Sequence, residues 1–171
     1  MTGRPRVLAV DDRKENLLAL QAILEGLAVD VVSVTSGEDA LKRLLTEDYA
    51  VILLDAHMPG MDGFETAGHV KQRERTRHIP ILFLTAVDYD PHLAFRGYQA
   101  GAVDYITKPF DPWVLRSKVG VFVDLWTVHA RLAEQVAECS RLRAAIEEAV
   151  EQLEDGAPDA ARDRLEAARD G

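Results

Sequence analysis

The sequence predicts an α/β fold in which a doubly wound parallel sheet carries helices on both faces and is followed by one long last helix. Three observations predict it. Five short strand-like runs alternate with segments of helical periodicity, as in successive strand–helix units. Several of these runs end in charged residues, which parallel strands bring to one edge of a sheet. The last helical segment is far longer than the others.

Three strand–helix units occupy the first part of the chain. The apolar runs with the length of buried strands are residues 6–10, 29–34 and 50–55. The segments with apolar residues at helical spacing are residues 13–27, 36–45 and about 64–75. Ser36 has the side chain of a helix N-cap, and acidic residues follow it. The third run is apolar until its final residue, Asp55, which is typical of a strand buried on both faces.

Two further strands follow, at residues 79–84 and 103–106. Pro80 is compatible with the first residues of a strand. A helix is predicted after Pro91 and reaches about Ala100. Because crossovers between parallel strands are right-handed, five such units leave few topologies.

The last helix is predicted to begin near Asp111-Pro112, and no helix breaker follows before Gly156. About 45 residues at 1.5 Å each span roughly 68 Å, far more than one layer of a small domain. Alternating spacings of four and three select a seam, and eight of its ten members are aliphatic or alanine. The seam comprises Val121, Leu125, Val128, Leu132, Gln135, Cys139, Leu142, Ile146, Ala149 and Leu153. This pattern predicts a partner helix.

We therefore expect three parts along the chain. Residues 1–123 form one globular domain, and residues 124–155 form a coiled-coil extension continuous with its last helix. Residues 156–171 form a short amphipathic tail that folds back or frays.

The composition excludes several classes of function. The net charge is −9, from 20 basic and 29 acidic residues, and both the part before residue 112 and the part after it are acidic. This balance argues against a nucleic-acid partner. A single cysteine, Cys139, excludes an internal disulfide framework. No secretory signal or apolar run of membrane-spanning length is present, so we expect a cytoplasmic protein with no membrane partner.

Charged and hydroxyl side chains end four of the predicted strands. Asp11 and Asp12 follow the first, Asp55 ends the third, Thr85 follows the fourth and Lys108 follows the fifth. Carboxylates that converge repel each other, and a hard cation such as Mg²⁺ relieves the repulsion. A metal pocket beside one aspartate, with an ammonium and a hydroxyl nearby, contains the groups needed for phosphoryl transfer to a carboxylate.

These motifs, in this order, resemble the receiver domain of two-component response regulators. The matching segments are Asp11-Asp12, Asp55-x-x-Met58-Pro59-Gly60-Met61-Asp62-Gly63, Leu84-Thr85-Ala86 and Asp104-Tyr105-Ile106-Thr107-Lys108-Pro109-Phe110. The resemblance covers about residues 5–125. It implies a flavodoxin-like (βα)5 fold with strand order 2-1-3-4-5.

The resemblance also implies the roles of the acidic residues. Asp55 would accept a phosphoryl group from the phosphohistidine of a sensor histidine kinase. Mg²⁺ would be bound by Asp12, by Asp55 and by the backbone carbonyl of His57, with Asp11 helping through water. The resemblance further implies that the His57 side chain occupies a variable position that tunes the lifetime of the phosphoryl group. As alternatives, Asp11 could serve only as a helix cap, and the His57 side chain could be a metal ligand or catalytic base.

Three further roles follow from the resemblance. Thr85 and Lys108 would hold the phosphoryl oxygens, and Tyr105 would be an aromatic switch that turns inward when Thr85 moves. The Lys108-Pro109 bond is expected to be cis. The alternative interpretations are an ordinary strand end for Thr85, a solvated lysine for Lys108 and static packing for Tyr105.

The sequence thus predicts a response regulator that signals through a dimerising last helix, here a parallel homodimer. It is not expected to be an enzyme beyond its own phosphorylation and dephosphorylation. Two alternatives stay open: a receiver module cut from a larger protein with an enzymatic output domain, and an adaptor that works by coiled-coil contacts without phosphate. A DNA-binding regulator would need a helix-turn-helix, which does not follow the receiver segment.

Overall fold

The computed structural model describes residues 3–86, 99 and 101–170. Within them, five parallel strands form one sheet in the order β2-β1-β3-β4-β5, which confirms the predicted fold class. The strands are β1 (Arg6–Val10), β2 (Asp30–Val34), β3 (Val51–Asp55), β4 (Ile81–Ala86) and β5 (Asp104–Lys108). β3 occupies the centre of the sheet, and all five of its residues are buried.

Five helices are described: α1 (Lys14–Leu24), α2 (Gly37–Arg43), α3 (Gly63–Gln72), α4 (Pro112–Glu154) and α5 (Pro158–Asp170). Ser36 caps α2 as predicted, because its Oγ accepts a hydrogen bond from the backbone N–H of Asp39 at 3.2 Å. Asp62 caps α3 in the same way, from the N–H of Glu65 at 2.8 Å. The helix predicted up to Ala100 falls almost entirely outside the described residues.

The two faces of the sheet carry separate apolar clusters. One cluster lies under α2 and α3 and includes Leu8, Ile52 and Phe83. The other lies under α1 and the start of α4 and includes Leu20, Leu53 and Leu115. Because alternate residues of the central strands belong to opposite clusters, both faces are covered, as in doubly wound sheets.

A polar network ties β1 to the segment before β3, at the edge opposite the carboxyl ends of the strands. The ring of Tyr49 is buried, and its hydroxyl donates to Oε2 of Glu47 at 2.6 Å. Arg43 donates to Oε1 of Glu47 at 3.0 Å, and Arg6 lies 3.4 Å from Oε2. The Tyr49 hydrogen bond, followed by the Arg43 hydrogen bond, lowers the pKa of Glu47, whereas burial raises the pKa of Tyr49.

The chain divides into two compact units, one that ends at Trp126 and one that begins at Thr127. The second unit contains the part of α4 from Thr127 onwards and the whole of α5. α4 ends in a Schellman motif, because Gly156 has φ +76° and the N–H of Ala157 donates to the carbonyl of Gln152 at 2.8 Å. Pro158 then opens α5. Among the described helices, none is long and apolar enough to cross a membrane.

Candidate functional site

The parallel register brings the predicted residues to one edge of the sheet. Asp11 directly follows β1, Asp55 is the last residue of β3, and Lys108 is the last residue of β5. In the intervening strand β4, Leu84 pairs with Asp55 and Ala86 pairs with Lys108. The carboxyl ends of β1, β3, β4 and β5 therefore form one continuous edge, where ligands bind in open α/β sheets.

An acidic cluster lies at this edge. One carboxylate oxygen from each of Asp11, Asp12 and Asp55 lies within 4.8 Å of the others. Asp11 is fully buried, Asp55 is 5% exposed, and Asp12 is the most exposed of the three. Oxygen ligands at this spacing are the donor set that hard divalent cations take. The cluster therefore fits one Mg²⁺ ion.

Lys108 joins two of these carboxylates. Its Nζ lies 2.6 Å from Oδ2 of Asp11 and 3.2 Å from Oδ2 of Asp55. The lysine side chain is 20% exposed, so these ion pairs are partly shielded from water. The ammonium thus offsets part of the repulsion among the acids. The peptide bond between Lys108 and Pro109 is cis, as expected.

Asn16 is a site residue that the sequence analysis missed. Its Nδ2 donates to Oδ1 of Asp11 at 2.9 Å and to Oδ2 at 3.0 Å. The N–H of Arg13 adds a third bond to Oδ1, at 3.0 Å. These bonds hold the buried carboxylate in one orientation. The available signal was the position of an amide side chain in the first turn of α1, five residues after Asp11.

The environment of Asp55 disfavours its charge. Burial is the largest influence and raises the pKa of the Asp55 carboxyl, and the neighbouring Asp11 raises it further. Lys108 acts in the opposite direction, as does the N–H of His57, which donates to Oδ1 of Asp55 at 3.3 Å. A cation near this carboxylate would therefore favour the ionised, nucleophilic form.

The loop after Asp55 is held against the strand end by a glycine. The N–H of Gly63 donates to the carbonyl of Ala56 at 3.1 Å. A Cβ at Gly63 would overlap the carbonyl oxygen of Asp55 and lie 2.9 Å from Cα of Ala56. No side chain can be accommodated there without moving the backbone of Asp55. Gly60, with φ +76°, makes the preceding turn.

The other two predicted residues lie on the neighbouring strands. Thr85 is half-buried in β4, one residue past the partner of Asp55 in the register. Tyr105 is half-buried in β5 and packs against the cluster under α2 and α3. The Nζ of Lys118, from α4, lies 5.9 Å from the centre of the Tyr105 ring and donates to the Tyr105 carbonyl at 3.2 Å. The structure thus places the predicted switch residue next to the start of α4.

Known proteins are similar to the sheet-containing part of this chain. The family model of the response regulator receiver domain matches residues 7–120. The chain is 40% identical over 108 residues to the sensor histidine kinase GacS of Pseudomonas protegens. The aligned residues cover 61% of this chain and 12% of GacS. It is 38% identical over 114 residues to the response regulator PleD of Caulobacter vibrioides. Here the aligned residues cover 67% of this chain and 25% of PleD.

A solved structure with the same fold is the chemotaxis protein CheY4 of Vibrio cholerae. It superposes with a TM-score of 0.66 at 29% identity, over 70% of this chain and 99% of CheY4. The chain thus spans an eighth to a quarter of the two curated relatives above and nearly all of this structural one. With the family model matching about two thirds of its residues, the chain belongs to the response regulator receiver domain family.

Proposed function

We propose that this chain is a response regulator that accepts a phosphoryl group from a sensor histidine kinase on Asp55 and passes the signal to α4. The observation that carries the proposal is the bridge of Lys108 between Asp11 and Asp55, within an acidic cluster that fits Mg²⁺. An adaptor that works without phosphate would not need a partly buried ammonium next to three carboxylates at the carboxyl ends of the strands.

In the proposed step, an Asp55 oxygen forms a bond to phosphorus, and the bond between phosphorus and the kinase imidazole nitrogen breaks. The electron pair of the broken bond stays on that nitrogen, the ring leaves as neutral imidazole because its other nitrogen carries a proton, and the product is an acyl phosphate on Asp55. Lys108 lies close enough to Oδ2 of Asp55 to pair with a phosphoryl oxygen once it arrives. Thr85, on the neighbouring strand, is the proposed hydroxyl donor to a second oxygen.

When bound, Mg²⁺ would supply positive charge to the phosphoryl oxygens and to the acids. Asp12, Asp55 and the carbonyl of His57 would hold it directly, and Asp11 would help through water. The Asp11 carboxylate already accepts bonds from Asn16 and Lys108, which suits a role outside the first coordination shell.

The proposed output is a parallel homodimer through about residues 118–153 of α4. The seam residues Val121, Leu125, Val128, Leu132, Ile146 and Leu153 are each at least half exposed. Leu142 is 40% exposed, and Ala149 is buried because it lies on the side that α5 covers. A phosphoryl group can change such a dimer only if it favours one arrangement of Tyr105 and α4 over another.

Sedimentation velocity tests the proposal. With Mg²⁺ present, beryllofluoride, a stand-in for the phosphoryl group, should change the dimer's shape or affinity in the wild-type chain. Asp55→Asn should abolish this response. Lys substitutions at Leu132 and Leu142 should produce monomers. A response that persists in Asp55→Asn would contradict Asp55 as the acceptor.

The direction of the two helices is tested by a disulfide. In a Cys139→Ser background, Leu153→Cys should cross-link two parallel chains under mild oxidation. Parallel helices bring the two copies of residue 153 together, whereas antiparallel helices place them at opposite ends. Absence of the cross-link in a chain that still dimerises would contradict the parallel arrangement.

A receiver module of a larger signalling protein is the second candidate. The observation that favours it is the coverage, since the chain corresponds to a quarter of PleD and about an eighth of GacS. An extended reading frame beyond Gly171 in the source genome would decide in its favour.

A further inference from the structure

α4 and α5 form an antiparallel hairpin whose contact line consists of alanines. Ala145 and Ala149 on α4 and Ala161 on α5 are only 4%, 3% and 2% exposed. Side chains this small let two helices approach closely. One ion pair adds to the contact, because Nε of Arg164 lies 2.5 Å from Oε2 of Glu148.

Helix geometry places Leu165 on the opposite flank of this contact. Successive residues of a helix are rotated by about 100°, so Arg164 and Leu165 lie on either side of Ala161. Since Arg164 reaches Glu148, Leu165 lies on the other side of α4, which is the side of Ile146. Leu165 is 44% exposed and Ile146 is 55% exposed. Two apolar side chains from different helices therefore border one open surface.

This surface continues along α4 as a stripe that α5 leaves open. Its apolar members in the second unit are 40–64% exposed: Val128, Leu132, Val136, Leu142, Ile146, Val150 and Leu153. They are three, four or six residues apart, and at about 100° per residue all seven lie within about 120° of one side of the helix. Exposed apolar stripes of this length mark interaction surfaces.

The burial of Ala149 indicates how the stripe is covered. Ala149 belongs to the predicted seam but is buried against α5, so a two-stranded coiled coil cannot continue along the whole seam. A stable interface takes about 800 Å² of accessible surface from each partner. Leu165 adds exposed apolar surface of α5 to that of α4, so a partner that contacts both helices buries more than one that contacts α4 alone.

We infer that two α4–α5 hairpins associate as a parallel four-helix assembly, with the two α4 helices at its centre and Leu165 of each α5 closing its sides. The inference rests on the dimer of the proposed function and replaces its two-stranded coiled coil. The occupant is a second copy of this chain. Arg143 lies within the stripe and Glu138 lies five residues before it. A parallel, in-register pair therefore brings Glu138 next to Arg143 of the partner subunit, twice per dimer.

The test compares the dimer dissociation constants of variants of the 171-residue chain by sedimentation equilibrium. Leu165→Lys places a charge at the proposed interface and should raise the dissociation constant at least about tenfold, as expected for losing one buried leucine per chain. Asp163→Asn makes the same change in charge on the face of α5 turned away from α4, and should leave the constant unchanged. Ala161→Glu separates α5 from α4 and should also weaken the dimer.

The outcomes separate this inference from the proposed function. A wild-type dimer that Leu165→Lys and Ala161→Glu leave intact overturns the four-helix assembly and leaves a two-stranded dimer standing. A tighter dimer in Ala161→Glu also overturns it, because α5 would then compete with the second copy. A wild-type chain that is monomeric with and without beryllofluoride overturns both dimer models. That result does not bear on phosphorylation of Asp55, which is measured in a separate experiment.

Discussion

The Nζ of Lys118 lies 2.5 Å from Oδ2 of Asp104. This ion pair joins α4 to β5 at the residue before Tyr105, and the other carboxylate oxygen of Asp104 accepts the Tyr105 N–H at 2.8 Å. Lys118 also lies over the Tyr105 ring. A single side chain therefore contacts the predicted switch and belongs to the helix that carries the proposed output.

Lys118→Met should separate phosphorylation from output. The pair is about one third exposed, so its loss should cost no more than about 1 kcal/mol of stability. Phosphorylation of Asp55 should proceed at the wild-type rate, whereas the response of sedimentation to beryllofluoride should be lost. Lys118→Arg, which keeps the charge, is the control. A full response in Lys118→Met would exclude a role in transmission.

Gly63→Ala should destabilise the protein by about 1–3 kcal/mol, because a Cβ there overlaps the carbonyl of Asp55. Gly68→Ala in the same helix is the matched control. A Cβ at Gly68 meets nothing within 4 Å, so it should stabilise the helix by about 0.5–1 kcal/mol. Urea unfolding measures both, and effects of the same sign would refute the close approach at Gly63.

Asn16→Ala should weaken Mg²⁺ binding by at most about tenfold, because tenfold is the order found for a partner that orients a direct ligand and Asp11 is proposed to act through water. The Asp11 carboxylate loses two hydrogen bonds from the amide and keeps those from the Arg13 N–H and Lys108, so it is less firmly oriented. Isothermal titration calorimetry with Mg²⁺ measures the effect. Lys14→Ala, in the same turn of α1, should bind Mg²⁺ as the wild type does. Equal affinities in all three chains would show that Asn16 has no such role.

Glu47→Gln should reduce stability at neutral pH by about 1 kcal/mol, since it weakens charge-assisted bonds from Tyr49 and Arg43. The pKa of Glu47 is lowered from 4.5 in the folded chain. The contribution of Glu47 to the free energy of unfolding is therefore fully present above about pH 4.5 and declines as the pH falls towards and through the lowered pKa of the folded chain.

The difference between wild type and Glu47→Gln should consequently narrow below about pH 4.5. Urea unfolding at a series of pH values measures it. Tyr49→Phe removes the strongest of these bonds while keeping the buried ring, and should reduce the same pH dependence. A difference that stays constant down to pH 3.5 would contradict the lowered pKa.

The strand ends were predictable because each one is marked by a charged or hydroxyl residue after an apolar run, and parallel strands bring such ends together. Asp11, Asp55 and Lys108 meet for that reason. Boundaries were less predictable. α1 ends at Leu24, three residues before the predicted end, and β4 begins at Ile81, after Pro80.

Hydrogen bonds between side chains and the choice of helix partner could not be predicted in this way. Asn16 follows no periodicity, because its role depends on a single amide facing one carboxylate. Ala149 fits a seam that faces another chain, but the structure buries it in the chain's own hairpin. A periodic pattern identifies the face of a helix that must be covered and does not identify what covers it.

The bridge formed by Lys108 also determines the charge count of the site. Three carboxylates and one ammonium sum to two negative charges when all are ionised, which one divalent cation balances and a monovalent cation does not. Phosphorylation of Asp55 replaces one negative charge with about two. A site that holds both the divalent cation and the phosphoryl group therefore has a net negative charge again. This excess charge attracts hydrogen-bond donors and cations near the site, and so favours a rearrangement of the neighbouring residues.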